Sequence, residues 1–222
     1  MKAVLFDMDG VLFDSMPIHA QAWQETMEKY IPASNPEDYY LFEGRTGFST
    51  INILFNRQLG RSASEEEVQR IYAQKARRFA ELDYSSPMPG ALAVLDKVKS
   101  LGLYALIVTG SGQQSLFEKI DCYFPGYFDR RQMVTAYDVE HGKPHPEPYL
   151  TGLKKAGVKA SEAIVVENAP LGIESAVAAG IYTVAVNTGP LSDQVLWDAG
   201  ANVLYPTMQA LAADFENLVK KR

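Results

Sequence analysis

Short apolar runs separated by longer stretches of mixed residues set the rhythm of this chain. The runs Ala3 to Phe6, Tyr104 to Val108, Ala163 to Val166 and Ile181 to Val186 are too short for helices and carry no charge. They predict strands buried on both faces. Met133 to Ala136 is a weaker run of the same kind. Between the runs, Ala91, Leu92, Leu95, Val98 and Leu101 recur at helical spacing and stop at Gly102. Pro146 to Ala156 stops in the same way at Gly157, and Leu171 to Ala179 at Gly180. A glycine just past the last periodic residue ends a helix because it enters the left-handed region without strain. Strand and helix alternate, the pattern of a parallel sheet covered by helices on both faces.

From about Ser15 to Asp83 the alternation is interrupted by helix signals without a convincing strand. Ser64 with Glu67 three residues on is a capping-box pattern. It opens a helix through Val68, Ile71, Tyr72, Lys75 and Phe79, and Gly60 closes an earlier one. The expectation is a helical domain over residues 15–83 inserted into a core made of residues 1–14 and 84–222. Asp14-Ser15-Met16-Pro17 and Tyr84-Ser85-Ser86-Pro87-Met88-Pro89 would be the two crossings.

Composition narrows the function classes. With 47% apolar and 22% charged residues over 222 positions, the chain is an ordinary globular one. Its 21 basic and 27 acidic residues leave a net charge of −6, which repels nucleic acid and anionic membranes alike. An anionic substrate would need local positive groups or a metal. The single cysteine, Cys122, excludes a disulfide framework and a cysteine zinc cluster and fits a reducing compartment. The first apolar run is cut at Asp7, too soon for a signal-peptide core, and no run approaches the length of a membrane span. A cytoplasmic protein without nucleic-acid or membrane partners is expected.

Ligands of an open parallel sheet bind beyond the carboxyl ends of its strands. Just after apolar runs stand Asp7-Met8-Asp9-Gly10, Thr109-Gly110-Ser111 and Glu167-Asn168, and Lys143 lies in the segment GKPHP. Two carboxylates two residues apart, leaving a strand toward one pocket, repel each other unless a cation offsets them. Oxygen ligands from Asp7, Asp9, Glu167 and Asn168 suit Mg²⁺. Rival motifs fit poorly: there is no GxxxxGK[ST] loop and no HExxH, and DMDGVL lacks the third acidic position of an EF-hand. Gly110-Ser111-Gly112-Gln113-Gln114-Ser115 approaches a dinucleotide fingerprint, but Ser115 replaces its last glycine and no acidic strand end follows at the required distance.

In this order, these segments resemble the four motifs of the haloacid dehalogenase superfamily of phosphotransferases, along essentially the whole chain. The helical insertion directly after the first motif is similar to the β-phosphoglucomutase-like branch. Segments such as EGRTG, GKPHPEPYL and ENAPLG are most similar to the bacterial inorganic pyrophosphatases within it. The resemblance implies an α/β fold, a Rossmann-like doubly wound parallel sheet core with an inserted α-helical cap of the C1 type. It implies that Asp7 is a nucleophile forming an aspartyl phosphate. Asp9 would be the general acid and base, with an elevated pKa in part of the cycle and a backbone carbonyl on the metal. Thr109 and Lys143 would hold the transferring phosphoryl group, with Gly110 and Ser111 beside it. Glu167 and Asn168 would complete the Mg²⁺ shell, directly or through water. Many members carry Asp in place of Asn168, so weaker or altered metal binding is implied.

The inserted domain is where specificity is expected. The similar mutases carry Lys and Arg where this chain has Gly112 and Gly47, which favours hydrolysis, although Arg45 could substitute in part. His19 matches a cap-linker position of those mutases with Trp23 one turn on; the alternative is a surface histidine and a core tryptophan. His141 and His145, with Gly142 and Pro144 between them, read as loop residues. Phe42, Phe48 and Phe55 read as cap core. Glu43 is either a solvated helix-end carboxylate or a group that enters the closed site. In the site it would oppose a distal phosphate unless it acted through the cation. The expected function is an Mg²⁺-dependent phosphohydrolase of inorganic pyrophosphate or another small phosphorylated compound, acting as a monomer. A sugar-phosphate mutase and a catalytically silent phosphate- or nucleotide-binding module are the alternatives.

Overall fold

The computed structural model describes residues 1–82, 85–112 and 114–222. Four of the predicted runs form strands β1 (Ala3–Phe6), β2 (Tyr104–Ile107), β3 (Ala163–Glu167) and β4 (Tyr182–Val186), and a fifth, β5, spans Val203–Tyr205. They form one parallel sheet in the order β2-β1-β3-β4-β5. Every residue of β1 and β3 is buried, as expected of central strands covered on both faces. Alternation divides β1 between two cores: Val4 and Phe6 pack with α5 (Ala91–Ser100) and α10 (Met208–Lys220), whereas Ala3 and Leu5 pack with α7 (Glu147–Ala156) and α8 (Pro170–Ala178). α6 (Gln114–Tyr123) and α9 (Asp193–Asp198) complete the sequence of core helices among the described residues.

Two sequence expectations are corrected here. Met133 to Ala136 is not a strand: Val134 makes a single parallel bridge to Val108 before the chain turns away. β5 has no counterpart in the sequence reading, because its three half-buried residues lie at the sheet edge and carry little apolar signal.

Between β1 and α5 the chain forms α1 (Met16–Met27), α2 (Pro36–Leu41), α3 (Gly47–Leu59) and α4 (Glu65–Leu82). The capping box is present at the start of α4: Glu67 N donates to Ser64 Oγ and Ser64 N to Glu67 Oε2, at 3.2 and 2.8 Å. Gly60, at φ 67°, ends α3. Ala20, Met27, Tyr39, Ile51, Phe55 and Ile71 form a hydrophobic core belonging to these helices. Phe55 and partly buried Phe42 belong to that cluster as expected, but Phe48 is 59% exposed and does not. The entry and exit segments of the insertion are tied together, with Asp14 N donating to Ser86 O and Met88 N to Leu12 O. The expected exit boundary, at residues 83 and 84, lies outside the described residues, as does Gln113 of the near-dinucleotide segment.

Candidate active site

With this strand order the direction of the connections reverses between β1 and β3, and the crevice at their carboxyl ends is the favoured ligand site. Asp7 leaves β1 there, its amide extending the ladder to Val166 O at 3.0 Å. Gly10, at φ 82°, permits the sharp turn that follows, and a side chain there would collide with Asn168. Glu167 and Asn168 leave β3 beside Asp7. On the other flank, Thr109 follows β2, held by its amide to Val134 O at 2.9 Å.

Lys143 joins the two sides. Its ammonium donates to Asp7 Oδ1 at 2.5 Å, Glu167 Oε1 at 2.6 Å and Val108 O at 3.1 Å, which uses all three of its hydrogens. Burial alone would depress the lysine, but Asp7 and Glu167 outweigh burial and hold its pKa above the ordinary value. Tyr149 of α7, fully buried, donates to Glu167 Oε1 at 2.7 Å. The amides of Asn168 and Ala169 point at Glu167 Oε2, at 3.1 and 3.4 Å. Both oxygens of Glu167 are therefore engaged within the protein. Asp7 is pushed up to about 8, first by burial, with Lys143 opposing and Glu167 and Asp9 reinforcing it.

The inserted helices contribute as much as the sheet. Ser15 Oγ donates to Asp9 Oδ1 at 2.6 Å, and His19 Nε2 lies 3.1 Å from the same oxygen. Behind it, Lys75 Nζ of α4 stands 2.6 Å from His19 Nδ1, and the imidazole stacks on Phe79 with ring centroids 4.2 Å apart. With Lys75 donating to Nδ1, the Nε2 hydrogen faces Asp9. Burial would raise Asp9, but His19, Ser15 and Lys75 together hold it below the ordinary carboxylate value. Lys75 is lowered to about 7 by burial, opposed by Asp9. His19 is thus no surface residue, and Trp23, partly buried, lines the same cavity.

The α2–α3 connection closes over this floor. Gly44, at φ 87°, makes its turn, and Thr46 caps α3 by accepting from Ser49 N at 3.3 Å. The residue ahead of the turn, Glu43, is half-buried, and its carboxylate faces inward. Asn168 Nδ2 donates to both Glu43 oxygens at 3.1 Å. Burial, then the charges of Asp7 and Glu167, push Glu43 well above the ordinary value. The solvated reading of Glu43 does not hold. A cavity of about 70 Å³ remains between the two layers, lined among others by Asp7, Asp9, Glu43, Arg45, Thr109 and Lys75. Gly110 and Ser111 also line it, with Ser111 N donating to Thr109 Oγ1 at 2.9 Å.

The arrangement can be tested for its fit to a divalent cation. The charges of Asp9 and Glu167 raise the charging cost of both Asp7 and Glu43, and Asn168 Oδ1 is buried with no hydrogen-bond partner. Crowded carboxylates beside an orphaned amide oxygen are the oxygen-rich donor set a hard cation takes. The residues fit. Glu167 is the exception among the expected ligands, since its oxygens are already engaged.

Residues 4–186 match the haloacid dehalogenase-like hydrolases. The chain belongs to this family. It is 31% identical over 206 residues to a phosphorylated carbohydrates phosphatase of Thermotoga maritima, covering 92% of this chain and 94% of that protein. Hexitol phosphatase A of Escherichia coli is 32% identical over 189 residues, covering 84% of this chain and 83% of that protein. A solved structure from Bacteroides vulgatus, given provisionally as a beta-phosphoglucomutase, superposes with a TM-score of 0.95. It is 52% identical and covers 99% of this chain and 89% of that one. The sheet with an inserted helical cap is the architecture expected of this branch of the dehalogenase-like hydrolases.

All eleven candidate site residues of the sequence reading converge on this crevice. Lys75, Ser15 and Tyr149 were not among them. Lys75 had a legible signal: it falls on the apolar stripe Val68, Ile71, Phe79 of α4, where a solvated lysine does not belong. Ser15 and Tyr149 had none, since a serine before a helix and a tyrosine on an apolar face are ordinary.

Proposed function

We propose that this dehalogenase-like hydrolase is an Mg²⁺-dependent phosphohydrolase in which Asp7 is the nucleophile and residues 15–83 act as the cap over it. The observation that carries the reading is the buried ammonium of Lys143, fixed between Asp7 and Glu167 with no hydrogen to spare. It orients Asp7 and supplies positive charge where a phosphoryl group must approach. Asp7 would attack phosphorus as the bond to the leaving oxygen breaks, and that oxygen would take its proton from Asp9. Water, deprotonated by Asp9, would then attack the aspartyl phosphate and release phosphate. The ionised Asp9 described above suits the second half, and the negative charge of an arriving phosphate favours the acid form needed for the first. Thr109 Oγ1 accepts from Ser111, which leaves its hydroxyl hydrogen for the phosphoryl oxygens. His19, on Asp9, and Lys75, behind His19, are positioning residues contributed by the inserted helices. Asp7, the Asp9 carbonyl, Asn168 and Glu43 would hold the cation, and Glu167 would act through Lys143. Bound there, the cation offsets carboxylate repulsion and binds phosphate oxygens.

Inorganic pyrophosphate is the favoured substrate. The space left between the two layers, about 70 Å³, is small, and Glu43 puts a carboxylate where a sugar would present neutral hydroxyls. Arg45 has a buried Nε without a partner, a donor available to the far end of a short anion. A phosphorylated carbohydrate is the second reading, favoured by the activities for which the Thermotoga and Escherichia relatives are named. Phosphate release with Mg²⁺ across pyrophosphate, hexose and hexitol phosphates and nucleotides separates the two, and interconversion of sugar phosphates without release would mark a mutase. Glu43→Gln should lower kcat/KM for pyrophosphate on the order of 10- to 100-fold, and much less for organic phosphates. Equal losses on all substrates would leave Glu43 a cation ligand or closure residue common to them and remove its part in substrate choice.

Two further outcomes follow from the cap and the cation. A Cβ on Gly110 would lie 2.6 Å from Gly44 O, at a backbone conformation any residue adopts. Gly110→Ala should therefore hold the cap open and cost on the order of 10²-fold in kcat/KM, the effect of roughly 1 Å misplacement. Unchanged kinetics would show that this closed contact is not used in turnover. Excess EDTA should stop hydrolysis without unfolding the protein, because both sheet cores pack away from the site. Circular dichroism and phosphate release on one sample decide this, and full activity in EDTA would count against a metal.

A further inference from the structure

The loop that delivers Lys143 carries a second set of ligand-type side chains on its outer side. His141 and His145 stand two residues to either side of Lys143, and Glu147 opens α7. One donor atom from each lies within 4.8 Å of the others. His141 Nδ1 is 3.0 Å and His145 Nδ1 3.9 Å from the same Glu147 oxygen, Oε2, and the imidazole centroids are 4.7 Å apart. No helix is needed for this, since the chain folds back on itself: His145 N donates to Gly142 O at 3.1 Å, and Ser175 Oγ anchors His145 O at 2.6 Å. Glu147 is set in place by the amides of Glu140 and His141, at 2.8 and 2.9 Å, and these hold its carboxyl below the ordinary value. Two ligands are thus already oriented. The imidazole of His145 is about half exposed; its Nδ1 accepts from Glu147 N at 3.2 Å, a bond that ligation through this nitrogen would replace.

We propose that His141, His145 and Glu147 form a binding site for a borderline transition-metal cation of the Zn²⁺ class, separate from the crevice that holds Asp7. Two imidazoles and one carboxylate suit Zn²⁺, whereas Mg²⁺ demands an oxygen shell. Zn–N and Zn–O bonds of roughly 2.0 to 2.2 Å place tetrahedral ligands ~3.3 Å apart, and the His141–Glu147 pair is already near that spacing. Three protein ligands leave the remaining position to water, so this is an open and exchangeable site rather than a closed structural one. Lys143 points the other way, with its ammonium on Asp7 and Glu167. A cation here would pin the two ends of the Lys143 loop together without touching the reacting atoms, whichever substrate the crevice takes.

The test is calorimetric titration of the whole protein with Zn²⁺ in excess Mg²⁺, with Co²⁺ as a visible-absorbing substitute. The wild type should take up one equivalent of Zn²⁺ that Mg²⁺ does not displace, and Co²⁺ should develop a visible band. His141→Gln/His145→Gln should lose that equivalent and the band while keeping the wild-type circular dichroism and metal-free melting temperature. Zn²⁺ uptake unchanged in the double variant, uptake abolished by Mg²⁺, or no uptake by the wild type would each overturn the proposal. A double variant with altered metal-free circular dichroism is replaced by chemical footprinting of the wild type: Zn²⁺ must protect both histidines from diethyl pyrocarbonate, and unprotected histidines would overturn the site.

Discussion

Asp7→Asn is expected to abolish phosphate release while the protein keeps its fold. An amide has no lone-pair anion to offer phosphorus, and removing the nucleophile from a covalent hydrolase costs on the order of 10⁶-fold in kcat. The fold should survive for an electrostatic reason. Burial, reinforced by its acidic neighbours, pushes Asp7 up to about 8, so ionising it is costly and Asn carries no such cost. Lys143 keeps Glu167 as a charged partner, and Asn can still accept its hydrogen bond through Oδ1. The melting temperature should therefore stay level or rise as activity disappears. Turnover near the wild-type rate in this variant would eliminate Asp7 as nucleophile. A collapsed melting temperature would show that the Asp7–Lys143 pair holds the fold.

Asp9→Asn should leave the geometry in place and remove proton transfer, a loss on the order of 10²- to 10⁴-fold. The size of the loss should depend on the leaving group. An alkoxide leaving group needs the proton and should suffer the full effect, whereas an aryl phosphate with an acidic phenol should suffer much less in the first step. Asp9 is also where the cap reports to the core, through Ser15 and His19. His19→Gln should accordingly reproduce part of the Asp9 loss in kcat without changing which substrates are preferred. The same loss in the first step for every leaving group would mean that Asp9 positions the site rather than protonating the leaving oxygen.

Much of this was legible in the sequence, for reasons that can be traced to particular residues. Central strands such as β1 and β3 are buried on both faces, so their apolar runs are unbroken and the polar residues ending them stand out. Asp7, Asp9, Thr109, Glu167 and Asn168 were found in that way. The short edge strand β5 is only half-buried and sends no such signal. Met133 to Ala136 failed for the converse reason: Met133 and Val134 are buried, Val134 fully so, but only Val134 pairs. Burial is written in composition, whereas pairing is settled by where the chain turns next.

The cap was harder because its chemistry lies on helix faces rather than at strand ends. Glu43 and His19 were visible as candidates, each with a bland alternative that only the closed packing excludes. Lys75 was visible as a member of an apolar stripe, and its meaning depends on His19, which is 56 residues distant in sequence and brought near by the packing of α1 on α4. Phe48 shows the opposite error, an apolar residue at a helix start that the fold leaves exposed. Periodicity marks the face of a helix that turns inward but not which of its residues meet another layer.

The central claim is that phosphoryl transfer passes through Asp7, and acid-quenched single turnovers test it directly. Wild type and Asp9→Asn would be mixed with Mg²⁺ and an aryl phosphate, whose leaving group needs no proton from Asp9, then quenched, digested and weighed by mass spectrometry. The account predicts one added phosphoryl group on the peptide carrying Asp7, accumulating in Asp9→Asn because that variant cannot activate water for the second step. Substrate consumed by either protein in a single turnover with no phosphoryl group on that peptide at any quench time would contradict it.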